Sequence, residues 1–96
     1  MVLIKNKLLQ SSIENLCLDI SEQCYSVNIQ LKKNLISKEM GISLFEGVYK
    51  YGIKKFIQIN EKYGIKGAQL EHHEKINSLL KSIQNTIAKL NTNLKI

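Results

Sequence analysis

The chain has 96 residues, of which 44% are apolar and 23% charged, and it carries a net charge of +6. So short a chain can bury only one modest core, which indicates a single small globular domain. The composition excludes a disordered chain, and the absence of Pro and Trp excludes collagen-like, Pro-rich and aromatic-platform proteins. All 14 basic residues are Lys, which attracts anions but lacks the planar fork with which Arg recognises phosphates and bases. The charge reflects either AT-rich coding or attraction to a membrane face, an acidic protein patch or nucleic acid.

The first third of the chain has the spacing of one helical face, and no Gly or Pro occurs before Gly41. Asp19 and Glu22 have the spacing of a capping box, so the first 36 residues form either one long helix or two helices with a break near residues 19–21. The apolar positions recur in steps of three and four, which predicts that they face the core. These positions are Leu9, Ile13, Leu16, Cys17, Ile20, Cys24, Val27, Leu31 and Leu35.

Two cysteines lie on this face, Cys17 and Cys24. Seven residues of helix separate them by about 10 Å, too far for a disulfide. We therefore expect reduced core cysteines in a cytoplasmic protein. Lys5 and Lys7 interrupt the apolar start and no small-residue cleavage site follows, so no signal peptide is expected. No apolar run is long enough to predict a membrane span.

A connection is predicted at residues 38–43, with Gly41 free to take a positive φ. Ser43 and Glu46 then have the spacing of a capping box, which predicts that the next helix begins there. The apolar residues of that helix are Leu44, Phe45, Val48, Phe56, Ile57 and Ile59.

Glycines mark both the interior and the end of this second helix. Gly64 predicts a glycine C-cap. Gly47 and Gly52 lie inside the helix, where each costs up to about 1 kcal/mol, and therefore predict close packing or a local distortion. A pentapeptide, Lys-Tyr-Gly-Ile-Lys, occurs at both 50–54 and 62–66. Two short copies do not indicate a repeat architecture, and we interpret the match as chance.

The last helix has the clearest periodicity in the chain, with a predicted start near Ala68 after a connection at residues 64–67. It is expected to end near Leu90 or Asn91, and the polar tail beyond it to fray. Its apolar positions are Ile76, Leu79, Leu80, Ile83, Ile87, Leu90 and Leu94. No window alternates with period two, so the predicted fold is all-α. We expect one domain over residues 1–96, a small antiparallel bundle of three long or four shorter helices.

One cluster has the residue types of a metal or catalytic site, Glu71-His72-His73-Glu74. Adjacent His side chains on a helix point about 100° apart and cannot chelate one ion. The cluster is instead interpreted as the exposed first turn of the last helix, where the helix dipole favours Glu71 and Glu74. No nucleophile-elbow, Walker or dinucleotide motif is present, so we expect no enzymatic activity, no cofactor and no metal.

Residues 37–43 resemble the turn of a helix-turn-helix. The segment that follows, residues 44–47, places apolar bulk and an acid where base-reading polar residues are expected. Lys50, Lys54 and Lys55 could contact phosphates, which gives affinity without sequence recognition. Nucleic-acid binding therefore stays as an alternative hypothesis.

Four segments match one family along the whole chain, in order and with small gaps. Residues 13–20 look like an acidic-apolar first helix, and residues 31–33 fall where a second helix ends. Residues 61–65 look like the turn before a last helix, and residues 75–83 are similar to that helix. In these segments the chain resembles the immunity proteins of class IIa (pediocin-like) bacteriocins, which are basic, Lys-rich, cytoplasmic four-helix bundles.

The resemblance implies a function and a partner. Such a protein would bind, from the cytoplasmic side, the mannose phosphotransferase permease that the bacteriocin has opened, and would block the lesion. Residues 76–96 would decide which bacteriocin is countered, with exposed candidates Lys81, Lys89, Asn91, Asn93 and Lys95. A secretion chaperone or a phage-type inhibitor that binds a soluble protein would also be a small helical bundle, and this is the other alternative.

Overall fold

The computed structural model describes the backbone of residues 2–65, 70 and 73–94. Within these residues the chain forms three helices and no strand: α1 (Val2–Lys32), α2 (Lys38–Lys62) and α3 (Glu74–Leu94). The all-α prediction is confirmed, and of the two helix counts left open the described residues show three. The predicted helix start at Ala68 and the candidates Glu71, His72 and Lys95 lie outside the described residues.

Helix α1 is continuous through residues 19–21, so the capping-box spacing of Asp19 and Glu22 does not mark a helix start. At 1.5 Å per residue its 31 residues extend for about 46 Å, most of the 54 Å length of the molecule. The bundle is therefore a narrow rod whose length α1 sets.

Consecutive helices are antiparallel, as predicted. Ser12 Oγ lies 3.3 Å from the Tyr63 hydroxyl at one end of the α1–α2 pair. At the other end Leu31 packs on Gly41. We call the end of the rod that holds residues 33–37 the turn end.

Helix α3 runs back along α2. The rings of Phe56 and His73 meet edge to face at 4.9 Å, and Gln84 Nε2 donates to the Tyr49 hydroxyl at 3.0 Å. Because α3 is antiparallel to α2, it is parallel to α1. The later residues of α3 therefore approach the turn end.

One buried cluster joins the three helices, and its members come from the predicted apolar faces. Leu35, which was predicted to face the core, and the α2 residues Leu44 and Ile57 are 68%, 37% and 48% exposed. Leu35 is exposed because α1 ends before it. The buried cluster comprises Ile13, Leu16, Cys17, Ile20, Val27, Phe45, Val48, Phe56, Ile76, Leu80 and Ile83.

The predicted connection at residues 38–43 is wrong, because these residues form the first turns of α2. Ser37 is the N-cap: its backbone is extended, and its Oγ accepts a hydrogen bond from the Met40 N–H at 3.1 Å. Gly41 is helical and buried, and a Cβ there would lie 2.8 Å from Leu31 Cδ2. Close approach of α1, and not a positive φ, therefore explains this glycine.

The turn between α1 and α2 is a Schellman motif centred on Asn34, which has φ +58°. The Leu35 N–H donates to the Gln30 carbonyl at 2.9 Å, and the Asn34 N–H donates to the Leu31 carbonyl at 3.1 Å. Asn tolerates this left-handed conformation better than other residues with a Cβ. The turn therefore forms at Asn34 without a glycine.

Helix α2 ends in a second Schellman motif, which confirms the predicted glycine C-cap. Gly64 has φ +76°. The Ile65 N–H donates to the Asn60 carbonyl at 2.9 Å, and the Gly64 N–H donates to the Glu61 carbonyl at 3.0 Å.

The two interior glycines of α2 have different surroundings. A Cβ at Gly52 would lie 2.9 Å from both Ile20 Cδ1 and Leu80 Cδ2, so the predicted close packing is confirmed there. A Cβ at Gly47 would meet no atom within 4 Å. Gly52 is thus the point at which side chains of α1 and α3 close over α2.

We predict that the Ala variants of these two glycines change stability in opposite directions. G47A should raise the free energy of unfolding by about 0.5–1 kcal/mol, because Ala is the better helix former and has room. G52A should lower it by about 1–3 kcal/mol, because Ile20 and Leu80 are fully buried and must shift. Urea unfolding followed by circular dichroism measures both, and equal effects would contradict the packing at Gly52.

The two positive-φ residues give a second prediction. G64A should lower the free energy of unfolding by about 1 kcal/mol, because a Cβ is strained in the left-handed region although there is space for it. N34G should raise it by a few tenths of a kcal/mol, because Gly adopts that conformation without strain. The same urea titration checks both, with G47A as the control for a Gly-to-Ala change at ordinary helical φ.

Candidate functional site

The exposed side of α3 carries three of the five residues that the sequence singled out as partner-binding candidates. Lys81, Lys89 and Asn91 are exposed. Asn93 lies in the helix, with its side chain outside the described residues, and Lys95 lies outside them altogether. We call the exposed residues of this side the outer face of α3: Lys81, Asn85, Ala88, Lys89, Asn91 and Thr92.

The outer face of α3 is basic because no Asp or Glu follows Glu74 in the sequence. Lys81 and Lys89 are eight residues apart, about 12 Å along the helix axis. They share one exposed surface and do not converge on a cavity. Such an arrangement suits contact with a broad anionic or polar surface and does not suit chemistry on a small substrate.

A groove of about 250 Å³ lies between α1 and α3 on the turn-end side of Gly52. Cys24 and Asn28 line it from α1, Ser82 and Thr86 line it from α3, and Phe45 of α2 contributes to its wall. The thiol in the groove is poorly suited to nucleophilic attack, because burial raises the pKa of Cys24 and so lowers the thiolate fraction at neutral pH.

The cysteines are not joined in a disulfide, as predicted. Cys17 is buried in the core and Cys24 is half-buried. Burial also raises the pKa of the Cys17 thiol, opposed by nearby Lys75. Both side chains therefore act as small apolar residues of the α1 face.

A polar cluster ties α1 to α2 halfway along the rod. The Tyr51 hydroxyl donates a hydrogen bond to Asp19 Oδ2, and Gln23 Nε2 donates to Oδ1 at 3.2 Å. Lys55 Nζ lies 5.8 Å from the centre of the Tyr51 ring. The hydrogen bond from Tyr51, followed by that from Gln23, holds the pKa of Asp19 below its ordinary value, and the same Tyr–Asp bond raises the pKa of Tyr51. Because these groups bond to one another, the cluster acts as a tie between helices.

We predict that Y51F lowers stability with a distinct pH profile. At neutral pH the loss should be at most about 1 kcal/mol, because the pair is partly exposed to solvent. A lowered Asp19 pKa contributes stability above the unfolded value near 3.8 that is lost as pH falls through the folded pKa. A raised Tyr51 pKa contributes stability below 10.0 that is lost as pH rises through the folded pKa.

The difference between the original protein and Y51F should therefore be largest between about pH 5 and 9 and shrink on both sides. Urea midpoints across this pH range measure it. Y25F is the matched control, because Tyr25 is 67% exposed, and its effect should be small at every pH. A difference for Y51F that stays constant from pH 3 to 10 would contradict the Tyr51–Asp19 bond.

The prediction about the first turn of α3 is partly wrong. The helix begins at Glu74, which lies in its first turn as expected, whereas His73 precedes the helix and packs edge-on against Phe56.

Close by, Asn60 is buried: its Nδ2 donates to the Phe56 carbonyl at 2.8 Å, and its Oδ1 has no hydrogen-bond partner among the described residues. In residues 2–65, 70 and 73–94 no group of three or more His, Cys, Asp or Glu side chains could hold a metal ion.

The helix-turn-helix interpretation of residues 37–43 is wrong in its geometry, since Ser37 caps a helix that continues through Gly41. Lys50, Lys54 and Lys55 are exposed in the middle of α2. They lie well inside the helix that begins at Lys38, and not in a recognition helix that begins at residue 44.

Sequence reasoning missed the exposed apolar residues of the turn end. Leu35 and Met40 are 68% and 51% exposed, and Lys32, Lys33 and Lys38 stand beside them in the chain. Periodicity concealed Leu35, because its spacing fits the apolar face of α1 although the helix ends before it. Asn34 and the capping Ser37 were the available signals of a turn at this point.

No family model, no curated protein and no solved structure matches this chain. Within the part of the chain that the structure describes, no helix has the length and apolar character needed to cross a membrane.

Proposed function

We propose that this protein is a non-enzymatic, protein-binding helical bundle that gives immunity to a class IIa bacteriocin. In this proposal it acts from the cytoplasm, at the inner face of the membrane, on a mannose phosphotransferase permease. Its contact surface is the outer face of α3. The observation that carries the proposal is that this face is exposed and basic. It holds Lys81 and Lys89, and no Asp or Glu follows Glu74 in the sequence.

The placement of the family-like segments supports the proposal. Residues 13–20 lie in α1, with their apolar members other than the exposed Leu18 in the core, and residues 31–33 lie where that helix ends. Residues 61–65 form the Schellman turn at the end of α2, and residues 75–83 lie in α3. Residues 61–65 and 75–83 thus lie in a turn and in a last helix, the kinds of element that the resemblance implies for them. The chain departs from the family in one respect: the single continuous α1 stands where the family has its first two helices.

The two sides of α3 differ in burial, and this difference also supports a contact role for its outer face. Ile76, Leu80 and Ile83 are buried in the shared core, so one side of the helix holds the bundle together. Residues on the outer face of α3 make no contribution to that core and can vary without unfolding the chain. Specificity in residues 76–96 is therefore compatible with a constant fold.

We predict that expression in a bacteriocin-sensitive Gram-positive strain raises the inhibitory concentration of one or two class IIa bacteriocins and not of all. The double variant K81E/K89E should abolish most of this rise, because it reverses the charge of the outer face of α3. K50E/K54E is the matched control: it makes the same change of net charge on exposed positions of α2 and should keep protection. Immunoblots and circular dichroism verify expression and folding.

Other outcomes separate the alternatives. Unchanged sensitivity to every peptide at confirmed expression would overturn the immunity proposal. Co-purification of a defined soluble protein would then favour the chaperone or inhibitor alternative. A steeply salt-dependent affinity for DNA or RNA would favour nucleic-acid binding. Loss of protection in both double variants would contradict the role of the outer face of α3.

A further inference from the structure

The turn end exposes apolar side chains that the fold does not use. Leu35 is the residue that follows the left-handed Asn34, where a Schellman motif commonly packs an apolar side chain back on the helix. Its C3 partner in α1 is the polar Gln30, and Leu35 stays 68% exposed. Met40, five residues later in the first turn of α2, is 51% exposed.

The same segment is basic. Lys32 ends α1, Lys33 follows it in the turn, Lys38 begins α2, and all three are exposed. The one acid in residues 32–44 is Glu39, in the first turn of α2, where the helix dipole favours a negative charge. Apolar side chains surrounded by lysines are the combination that binds the boundary between headgroups and acyl chains in an anionic bilayer.

Part of the backbone of the turn end is already hydrogen-bonded, which lowers the cost of entering an interface with little water. The N–H groups of Lys33, Asn34 and Leu35 donate to carbonyls of α1. The N–H of Met40 donates to Ser37 Oγ, and the N–H of Gly41 donates to the Ser37 carbonyl. These bonds leave fewer polar groups of the turn to lose water at an interface.

A second exposed leucine shows that exposure alone is not the signal. Leu18 in the middle of α1 is 64% exposed, nearly as much as Leu35. Its neighbours four residues away on the helix are Glu14 and Glu22, and Asp19 follows it. An anionic surface would repel this site and attract the turn end.

We propose that the turn end docks on an anionic lipid surface, with Leu35 and Met40 entering the interface and Lys32, Lys33 and Lys38 contacting lipid phosphates. The rod, 54 Å long and about 20 Å wide, would then bind by one end. This inference stands on the turn end alone and does not depend on bacteriocin immunity.

The test is binding of the full chain to vesicles of equal parts phosphatidylglycerol and phosphatidylcholine, and to vesicles of phosphatidylcholine alone. We expect binding to the anionic vesicles, weakening with salt, and little to the neutral ones. L35S should reduce the partition coefficient about tenfold, and L18S should leave it unchanged. K32Q/K33Q should reduce it about thirtyfold, since each lysine near the surface contributes about fivefold.

K50Q/K54Q is the charge control. It removes two charges at exposed positions twelve and sixteen residues along α2 from Lys38, at least about 18 Å away and beyond the screening length at physiological salt. Its partition coefficient should stay within about threefold of that of the original protein. Circular dichroism verifies that each variant is folded.

The absence of Trp from the chain gives a site-specific readout. The emission of the L35W protein should shift to the blue and be quenched by brominated lipid when anionic vesicles are added. The emission of the L18W protein should not change.

Three results would overturn the proposal: no binding to anionic vesicles, equal binding to both vesicle types, or equal losses in L35S and L18S. If vesicle binding fails and the turn end instead captures an acidic protein, the partner is a protein surface. Because the vesicle assay contains no bacteriocin or permease, its failure leaves the immunity proposal standing. Unchanged bacteriocin sensitivity likewise leaves vesicle binding standing.

Discussion

The close approach at Gly52 is the contact on which the rest of the bundle depends. The missing Cβ lets Ile20 of α1 and Leu80 of α3 reach the α2 backbone from two sides, and both side chains are fully buried. Packing of this density permits one register, because sliding either helix would place a larger side chain at the contact. That register fixes which residues of α3 point away from the core, beginning with Lys81.

Gly52 also explains why one pentapeptide has two structures. Residues 50–54 and 62–66 are identical, yet the first copy is helical throughout, whereas the second ends α2 at Lys62 and has Gly64 at φ +76°. Intrinsic helix propensity is the same for two identical segments, so it cannot explain why their structures differ. In the first copy, Gly52 is buried against side chains of α1 and α3, and this packing stabilises its helical conformation. Gly64 has no such packing, because a Cβ there would meet nothing within 4 Å. Tertiary packing therefore decides where the helix continues and where it stops.

The sequence predicted the helical class, the core faces and the C-cap at Gly64, because apolar periodicity and glycine chemistry are local signals. It misplaced the first turn because Gly41 was interpreted as a turn residue, whereas the glycine is needed for the approach of Leu31. Exposure of Lys81 and Lys89 could be predicted, since both lie off the apolar stripe of α3. Exposure of Leu35 was missed, since its spacing fits the stripe and only the end of α1, which Asn34 and Ser37 signal, removes it from the core.

The two proposed surfaces are related by the topology of the rod. Because α3 is parallel to α1, its residues approach the turn end as they approach Leu94, so Lys89 and Asn91 lie nearer to that end than Lys81 does. A bundle docked by Leu35 and its flanking lysines would hold the later half of the outer face of α3 closest to the bilayer. A permease exposes its cytoplasmic loops at that level. End-on lipid contact would thus present the segment to which the family resemblance assigns specificity, and would do so without any contribution from the middle of α2.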